Sequence, residues 1–449
     1  MKILFPSVFY LPKVIGGIEL YIHHLALGLQ QKGHDIKVVL PSYTDDDIND
    51  YNYQGIEVVR YKAYPSKGRL EFAGISANES LENFKKIIAE HKPDIVHFSQ
   101  LTNSSGISLL HIAAAKEYGA IVVYTNHLSE FICQRGNFRY MGSKACDGII
   151  SVSKCTACLL QQKNIAQLIA QSIALVDKYA AVVAGKKNFR VQLKPFVFPG
   201  FFTRWHLEKI RTLINIADIF VSIAKWSNIL IQKNGWANDK CIFIPTGLLN
   251  AEVVVDKTAN LYDGKRPLRV VFLGRLVPVK GAAVLIEAAK QLNNNIQLDL
   301  YGPVDLVSHK DYYENCLQAV MGFDNIKLYP PVQNDKVVEI ISRYDLLCLP
   351  SKGNEMAPLI IQECLKAKVP VIATDLPALR EWVTDGVNGL LFLTDDAISL
   401  KMKLQEVIDH PSLISKFKSK LAAPNNFSDV VNRYHQVYEE KLALVIQGN

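Results

Sequence analysis

Residues 345–375 read DLLCLPSKGNEMAPLIIQECLKAKVPVIATD. An apolar run at 346–349 is closed by Pro350 and a polar loop at 351–354, and a second apolar run follows at 369–374. A helix is expected between them, with Pro358 in its first turn, where a missing N–H costs nothing. Strand, helix, strand, with both strands too apolar to face water, is the pattern of a parallel sheet covered on both sides. Glu355 falls in the loop before the helix, and Glu363 lies more than a turn inside it. The uncapped amides around residues 356–360 bring the positive end of the helix dipole into the same space. Such a place suits an anionic ligand that also carries hydroxyls, as a nucleotide sugar does. Two solvated acids on an ordinary surface helix would give the same pair. The choice between the two turns on the rest of the chain.

At 449 residues the chain is too long for one compact domain, and two or three are expected. Hydrophobic residues at 49% and charged residues at 21% describe a soluble globular protein with ample core. No apolar run approaches the roughly 18 residues of a membrane span. The N-terminal MKILFPSVFYLPK has the outline of a signal peptide, yet its apolar part is short and runs into a glycine loop. It lacks a small-residue cleavage site and reads as a first strand, so a cytoplasmic location is expected. The net charge of +7 suits phosphate-bearing ligands, or peripheral attraction to the anionic inner face of a membrane. No nucleic-acid partner is expected. Eight cysteines without a secretory leader argue for thiols or metal rather than disulfides.

Taken in order, residues 2–9 form a strand and a loop carries Gly16-Gly17. A helix follows with Ile18, Ile22, Leu25 and Leu29 on one face, ended by Gly33, and a second strand at 34–41 completes a βαβ unit. Strands at 56–61, 95–98 and 120–125 then alternate with helices at 79–90 and 106–118, which means a parallel sheet wrapped by helices. Ligands of such sheets bind beyond the carboxyl ends of the strands, where Gly16-Gly17 and residues 125–127, ending in His127, both fall. A glycine pair also makes an ordinary tight turn, and a lone histidine is more often structural.

The alternation breaks down between residues 128 and 211. Cys133, Cys146, Cys155 and Cys158 give C-x12-C-x8-C-x2-C, the spacing of a four-thiolate structural zinc site. Free, half-buried thiols explain the same residues equally well. Residues 165–183 read as a helix. Residues 186–211 interleave seven cations with six aromatics, the composition of a membrane-interface segment or, more simply, of a connector whose aromatics pack inward.

Residues 251–266 are polar and patternless and serve as the linker. A second alternating half follows, with strands at 268–272, 296–301 and 326–329 leading into the opening motif. Its first loop, 274–281, sets Arg275 and Lys280 among glycines at a strand end and a helix start, which is how a diphosphate would be neutralised. The last helix, 428–445, carries Val431, Tyr434, Tyr438 and Leu442 on one face.

With these pieces placed, the chain resembles a retaining glycosyltransferase of the large GT-B group, family 4, over nearly its full length. Gly16-Gly17-Ile18-Glu19 matches that family's GGxE loop, and YTNH, ending at His127, its Thr-x-His strand end. GRLVPVKG matches G-R-L-x-x-x-K-G, Glu355 and Glu363 match E-x7-E, and LREWVTDGVNGLLF matches the closing E-x-V-x-D-G-x-N-G-x-L run. The resemblance implies two Rossmann-like parallel-sheet α/β domains facing each other across a cleft. Their expected extents are residues 1–250, with a cysteine-containing insertion at about 128–211, and 251–425, with a helix at 426–449 crossing back to the first. It also implies transfer of a hexosyl unit, with retention, from a UDP- or GDP-sugar to a glycan, lipid-linked saccharide or small molecule.

In that family's terms, Arg275 and Lys280 would bind the donor diphosphate and stabilise the departing charge. Glu363 would hold the ribose hydroxyls and Glu355 the transferred hexose, with the amides of Met356 and Ala357 adding sugar contacts. Gly16 and Gly17 would border the phosphate, and His127 would face the sugar. No Asp-x-Asp metal signature stands out, so catalysis is expected to need no cofactor, the two cations replacing a divalent ion. The family's glycine after the first Glu-x pair is absent from Glu355-Met356-Ala357-Pro358, and Ala378 replaces another, which leaves the hexose open. A non-catalytic relative that binds a nucleotide sugar or a partner protein is the alternative. An oxidoreductase on a Rossmann sheet would need G-x-G-x-x-G after the first strand, which is not there.

Overall fold

The computed structural model describes residues 1–14, 16–44, 48–102, 105–183, 199–236, 239–249 and 261–447. The cation-rich and aromatic segment at 186–198 and most of the linker, 251–260, lie outside the described residues. The chain divides into two compact units, Met1–Pro245 with Ser428–Asn449, and Thr246–Phe427.

Among the described residues, eight strands build the main sheet of the first unit: β1 Lys2–Pro6, β2 Asp35–Ser42, β3 Tyr51–Tyr53, β4 Ile56–Lys62, β5 Ile95–Phe98, β6 Ile121–Asn126, β7 Ile219–Ser222 and β8 Cys241–Phe243. They lie in the order β8-β7-β6-β5-β1-β2-β4-β3, parallel throughout except for the β3–β4 pair. Every residue of β5, β6 and β7 is buried, as expected of strands covered on both faces. The first helix, Gly17–Gln31, buries Tyr21, Ile22, Leu25, Ala26 and Leu29 on one face, while Ile18 at its start is only partly covered. It stops where Gly33 turns to φ +86, a left-handed conformation that glycine adopts freely. Between β6 and β7 the chain is mainly helical, with helices Val152–Gln162, Gln167–Val183 and Phe201–Ile216.

The final helix, Phe427–Gln447, covers this same sheet. Val431, Tyr434 and Tyr438 are 6%, 0% and 0% exposed. Val431 comes so near the first helix that a Cβ on Gly28 would lie 2.5 Å from its Cγ2. Beyond it runs a chain of buried hydrogen bonds. Tyr21 Oη donates to Tyr434 Oη at 3.1 Å, and Tyr434 Oη meets Thr125 Oγ1 at 2.7 Å. The His97 ring bridges Thr125 Oγ1 at 2.7 Å and Tyr438 Oη at 2.6 Å. Inside a low-dielectric core, satisfied chains of this kind fix one arrangement, because each lost partner leaves a costly orphan.

Among the described residues, the second unit holds six parallel strands: β9 Leu268–Leu273, β10 Ile296–Tyr301, β11 Ile326–Tyr329, β12 Leu346–Leu349, β13 Val371–Thr374 and β14 Gly389–Phe392. Their order is β11-β10-β9-β12-β13-β14. One face packs Leu285, Ala289, Leu400 and Leu404 against the sheet, and the other packs Ile341, Ile361, Cys364 and Leu379. From β9 the chain winds outward to β11, then returns to the other side of β9 as β12. The loops after β9 and β12 therefore flank the point where strand order reverses, the usual ligand position in such sheets.

If Gly28 is the close-approach point for the final helix, Gly28→Val should lower stability by roughly 2–3 kcal/mol through overpacking. Val431→Ala in the same chain should recover part of that loss, since contacting residues are not additive. Thermal unfolding of the two single variants and the double variant measures this, and strictly additive losses would refute the contact.

Candidate active site

The loops after β9 and β12 are stitched together through backbone. Lys352 N donates to Val279 O at 2.8 Å. Gly281 sits at φ +74, and a Cβ there would lie 1.9 Å from Pro350 O. Next door, a Cβ on Gly302 would lie 1.8 Å from Gly274 O. Only glycine permits both approaches. The result is that Lys280, in the short turn Pro278–Lys280, reaches Glu355 across the gap, with Nζ 2.8 Å from Oε2. Ser351 Oγ donates to the other oxygen, Oε1, at 2.5 Å. Ser351 is 2% exposed, so Glu355 is held from inside. Arg275 lies exposed in the same loop and has no side-chain partner among the described residues.

The helix expected after Glu355 spans Leu359–Ala367. Pro358 stands one place earlier than the sequence reading put it, as the cap before the first turn with φ −69 and ψ 108. An extended ψ keeps it out of the helix, and Leu359 takes the first helical position. Met356 is nearly buried and Ala357 half-buried, just ahead of the helix N-terminus. Glu363 is enclosed on the helix, and burial pushes its carboxyl up to about 7, against a smaller opposing pull from Lys366. It makes no hydrogen bond among the described residues. The structure therefore brings Arg275, Lys280, Glu355, Met356, Ala357 and Glu363 onto the loops and helix start at one end of a single sheet.

In the first unit, Gly16 caps the first helix, and a Cβ on it would lie 2.3 Å from Glu19 Oε2. Gly17 opens onto free space. Glu19 folds back beneath this loop, 6% exposed, and accepts from Gln100 Nε2 at 3.3 Å. His127 follows β6 and meets the Tyr21 ring edge-on, with centroids 4.5 Å apart. Desolvation lowers its pKa to about 3, so the imidazole is neutral at pH 7. Its Nε2 is enclosed and has no hydrogen-bond partner among the described residues.

The four clustered cysteines lie together in the first unit. Among the described residues, no group of three or more His, Cys, Asp or Glu side chains is arranged to hold a metal ion. Cys133, Cys146, Cys155 and Cys158 line one apolar pocket with Ile132, Phe138 and Leu159. Cys158 Sγ accepts from Met141 N at 3.3 Å and from Arg135 Nη1 at 3.5 Å. Burial raises the pKa of Cys146 and takes Cys155 up to about 11. All four are free and partly buried.

Comparison with known proteins places this geometry. The Glycosyltransferase Family 4 model matches residues 15–169, and the Glycosyl transferases group 1 model matches residues 259–422. The phosphatidyl-myo-inositol mannosyltransferase of Mycolicibacterium smegmatis is 24% identical over 94% of this chain and 87% of its own length. Among solved structures, sucrose-phosphate synthase from Thermosynechococcus elongatus superposes with a TM-score of 0.67 at 18% identity, covering 99% of both chains. Anabaena Alr3699/HepE, solved with UDP, gives 0.64 at 16% identity over 98% of this chain and all of the other. The two Rossmann-like domains are those of the GT-B fold. The chain carries a family 4-like domain followed by a group 1 domain, and it is a glycosyltransferase.

Two contributors escaped the sequence reading. Ser351 is one polar residue in a polar loop, with no periodic signal to single it out. Tyr21 looks like part of an apolar helix face until the fold sets it against His127.

Because the folded state raises Glu363, its proton is held longer in the fold than in the unfolded chain. The stabilisation from this group is present at low pH and is lost as pH rises through about 7. Glu363→Gln should therefore raise the unfolding midpoint by a few degrees at pH 8 and by little at pH 5. Scans at the two pH values check this, and an equal gain at both would contradict it.

Proposed function

We propose that this glycosyltransferase moves a hexosyl unit from a nucleotide-diphosphate sugar, UDP- or GDP-linked, to an acceptor hydroxyl with retention of configuration. The observation that carries this reading is the Lys280–Glu355 pair beside an unpartnered Arg275, at the switch point of a parallel sheet. Breaking the bond between the sugar carbon and the diphosphate leaves the electron pair on the departing oxygen. Two cations at the donor site stabilise that charge, so the reaction as proposed requires no metal ion. Glu363 takes the ribose hydroxyls, and Glu355 takes the hexose together with the amides of Met356 and Ala357. In the first unit, His127 is assigned to the sugar and Gly16-Gly17 to the phosphate. The UDP bound in Alr3699/HepE supports a nucleotide-linked donor.

The acceptor is read as a lipid-linked saccharide or other glycan. The similar mannosyltransferase is named for a phosphatidylinositol acceptor. On helix Gln167–Val183, Leu168, Ile169, Leu175 and Val176 are 77%, 57%, 51% and 68% exposed. No helix among the described residues is long and apolar enough to cross a membrane. Peripheral contact through such a surface fits an acceptor held in a lipid face. Replacing Leu168 and Val176 with Ser should then reduce co-sedimentation with anionic vesicles several-fold, with no loss of thermal stability. Unchanged sedimentation would remove the membrane from the proposal.

A panel of UDP-, GDP- and ADP-sugars, followed for hydrolysis and transfer with the product anomer read by NMR, tests the reaction itself. Silence across the panel, with no nucleotide binding by calorimetry, would overturn it. Given a working donor, Arg275→Ala and Lys280→Ala should each lower kcat by about 10²–10³ while the fold is kept. Glu363→Ala should chiefly weaken donor binding, whereas Glu355→Ala should chiefly lower the rate with donor bound. Calorimetry and turnover on the same four variants separate these outcomes, and a reversed pattern for the two acids would refute their roles.

A further inference from the structure

We infer that Glu355 competes with the diphosphate for Lys280, and so sets how strongly the protein favours a loaded nucleotide sugar over the spent nucleoside diphosphate. This rests on the donor assignment just proposed. The argument begins with how firmly the pair is built. Lys280 Nζ and Glu355 Oε2 are 2.8 Å apart, with both side chains only about a quarter exposed, at 26% and 22%. Ser351 Oγ holds the second carboxylate oxygen at 2.5 Å, so both oxygens are engaged before any ligand arrives. The backbone contact of Gly281 with Pro350 and the Lys352–Val279 hydrogen bond keep the two loops from swinging apart. Lys280 therefore meets an incoming diphosphate with its charge already answered, and the carboxylate that answers it lies within reach of the same phosphate oxygens.

For a donor that still carries its hexose, this carboxylate has something else to do. Sugar hydroxyls donate to it, and a charge-assisted hydrogen bond offsets the crowding of two anions around one cation. Once the hexose has been transferred, those donors are gone. Glu355 then faces a bare diphosphate of like charge, and the repulsion and the competition for Lys280 both favour release. Arg275, with no partner among the described residues, is free to hold the diphosphate throughout. One ion pair thus couples recognition of the sugar to departure of the product.

The test is calorimetric titration of UDP, GDP and ADP, without sugar, into the full chain and its variants. Glu355→Gln keeps the shape and the Ser351 hydrogen bond but removes the charge. It should bind whichever nucleoside diphosphate the unaltered chain binds about tenfold tighter, and product inhibition should deepen by the same factor while turnover falls. In a Lys280→Met background the gain from Glu355→Gln should shrink to less than threefold, since no cation remains to be released. Equal or weaker binding by Glu355→Gln, with its unfolding midpoint unchanged, would overturn the inference while leaving the donor assignment intact. An undiminished gain in the Lys280→Met background would also overturn it, because the effect would not pass through the lysine. If the unaltered chain binds none of the three nucleotides, the donor assignment itself fails and takes this inference with it.

Discussion

The second unit depends on backbone approaching backbone at the carboxyl end of its sheet. Gly281 lies against Pro350 and Gly302 against Gly274, each so close that a single methyl group would strike a carbonyl oxygen. These contacts bring the loop after β9 and the loop after β12 together without side chains between them. A lysine from one loop then finds a carboxylate from the other at hydrogen-bonding distance. Side-chain packing deeper in the sheet makes the platform stiff, but the glycines decide where the charges stand. Alanine at either position would move the cations before it disturbed the core.

A different device organises the first unit. Its sheet is closed on one side by the final helix, and the joint is polar as well as apolar. Tyr434 and Tyr438 carry hydroxyls into a fully buried layer, where Thr125 and His97 receive them. Thr125 lies two residues before His127, and Tyr21, which packs on the His127 ring, donates to Tyr434. The last segment of the chain therefore helps to seat a histidine near its first third. Burial keeps both His97 and His127 neutral, so the layer carries no uncompensated charge.

Glu363 and Glu355 illustrate how two carboxylates in one short motif acquire different characters. Glu355 is answered by a cation and a hydroxyl. Glu363 is desolvated by burial and holds its proton to about neutral pH. The two stand eight residues apart, one in the loop and one inside the helix, and the packing around each decides its character.

Periodicity and glycine placement along the chain were enough to specify alternating strands and helices, parallel sheets, and the loops that carry Arg275, Lys280 and Glu355. Those features are local: a strand covered on both faces must be apolar throughout, and a helix in such a layer must be apolar on one side. Other features depend on which distant residues meet, and no local pattern encodes that. The spacing of Cys133, Cys146, Cys155 and Cys158 fits a metal set and free thiols alike, and only the fold sets Arg135 and the Met141 amide against Cys158 Sγ. Ser351 and Tyr21 carried no signal until the fold supplied Glu355 and His127 as their neighbours. The raised pKa of Glu363 likewise had to wait for the packing. Element type follows from short-range sterics and burial pattern, which the sequence states directly; partner choice follows from long-range packing, which only the folded chain decides.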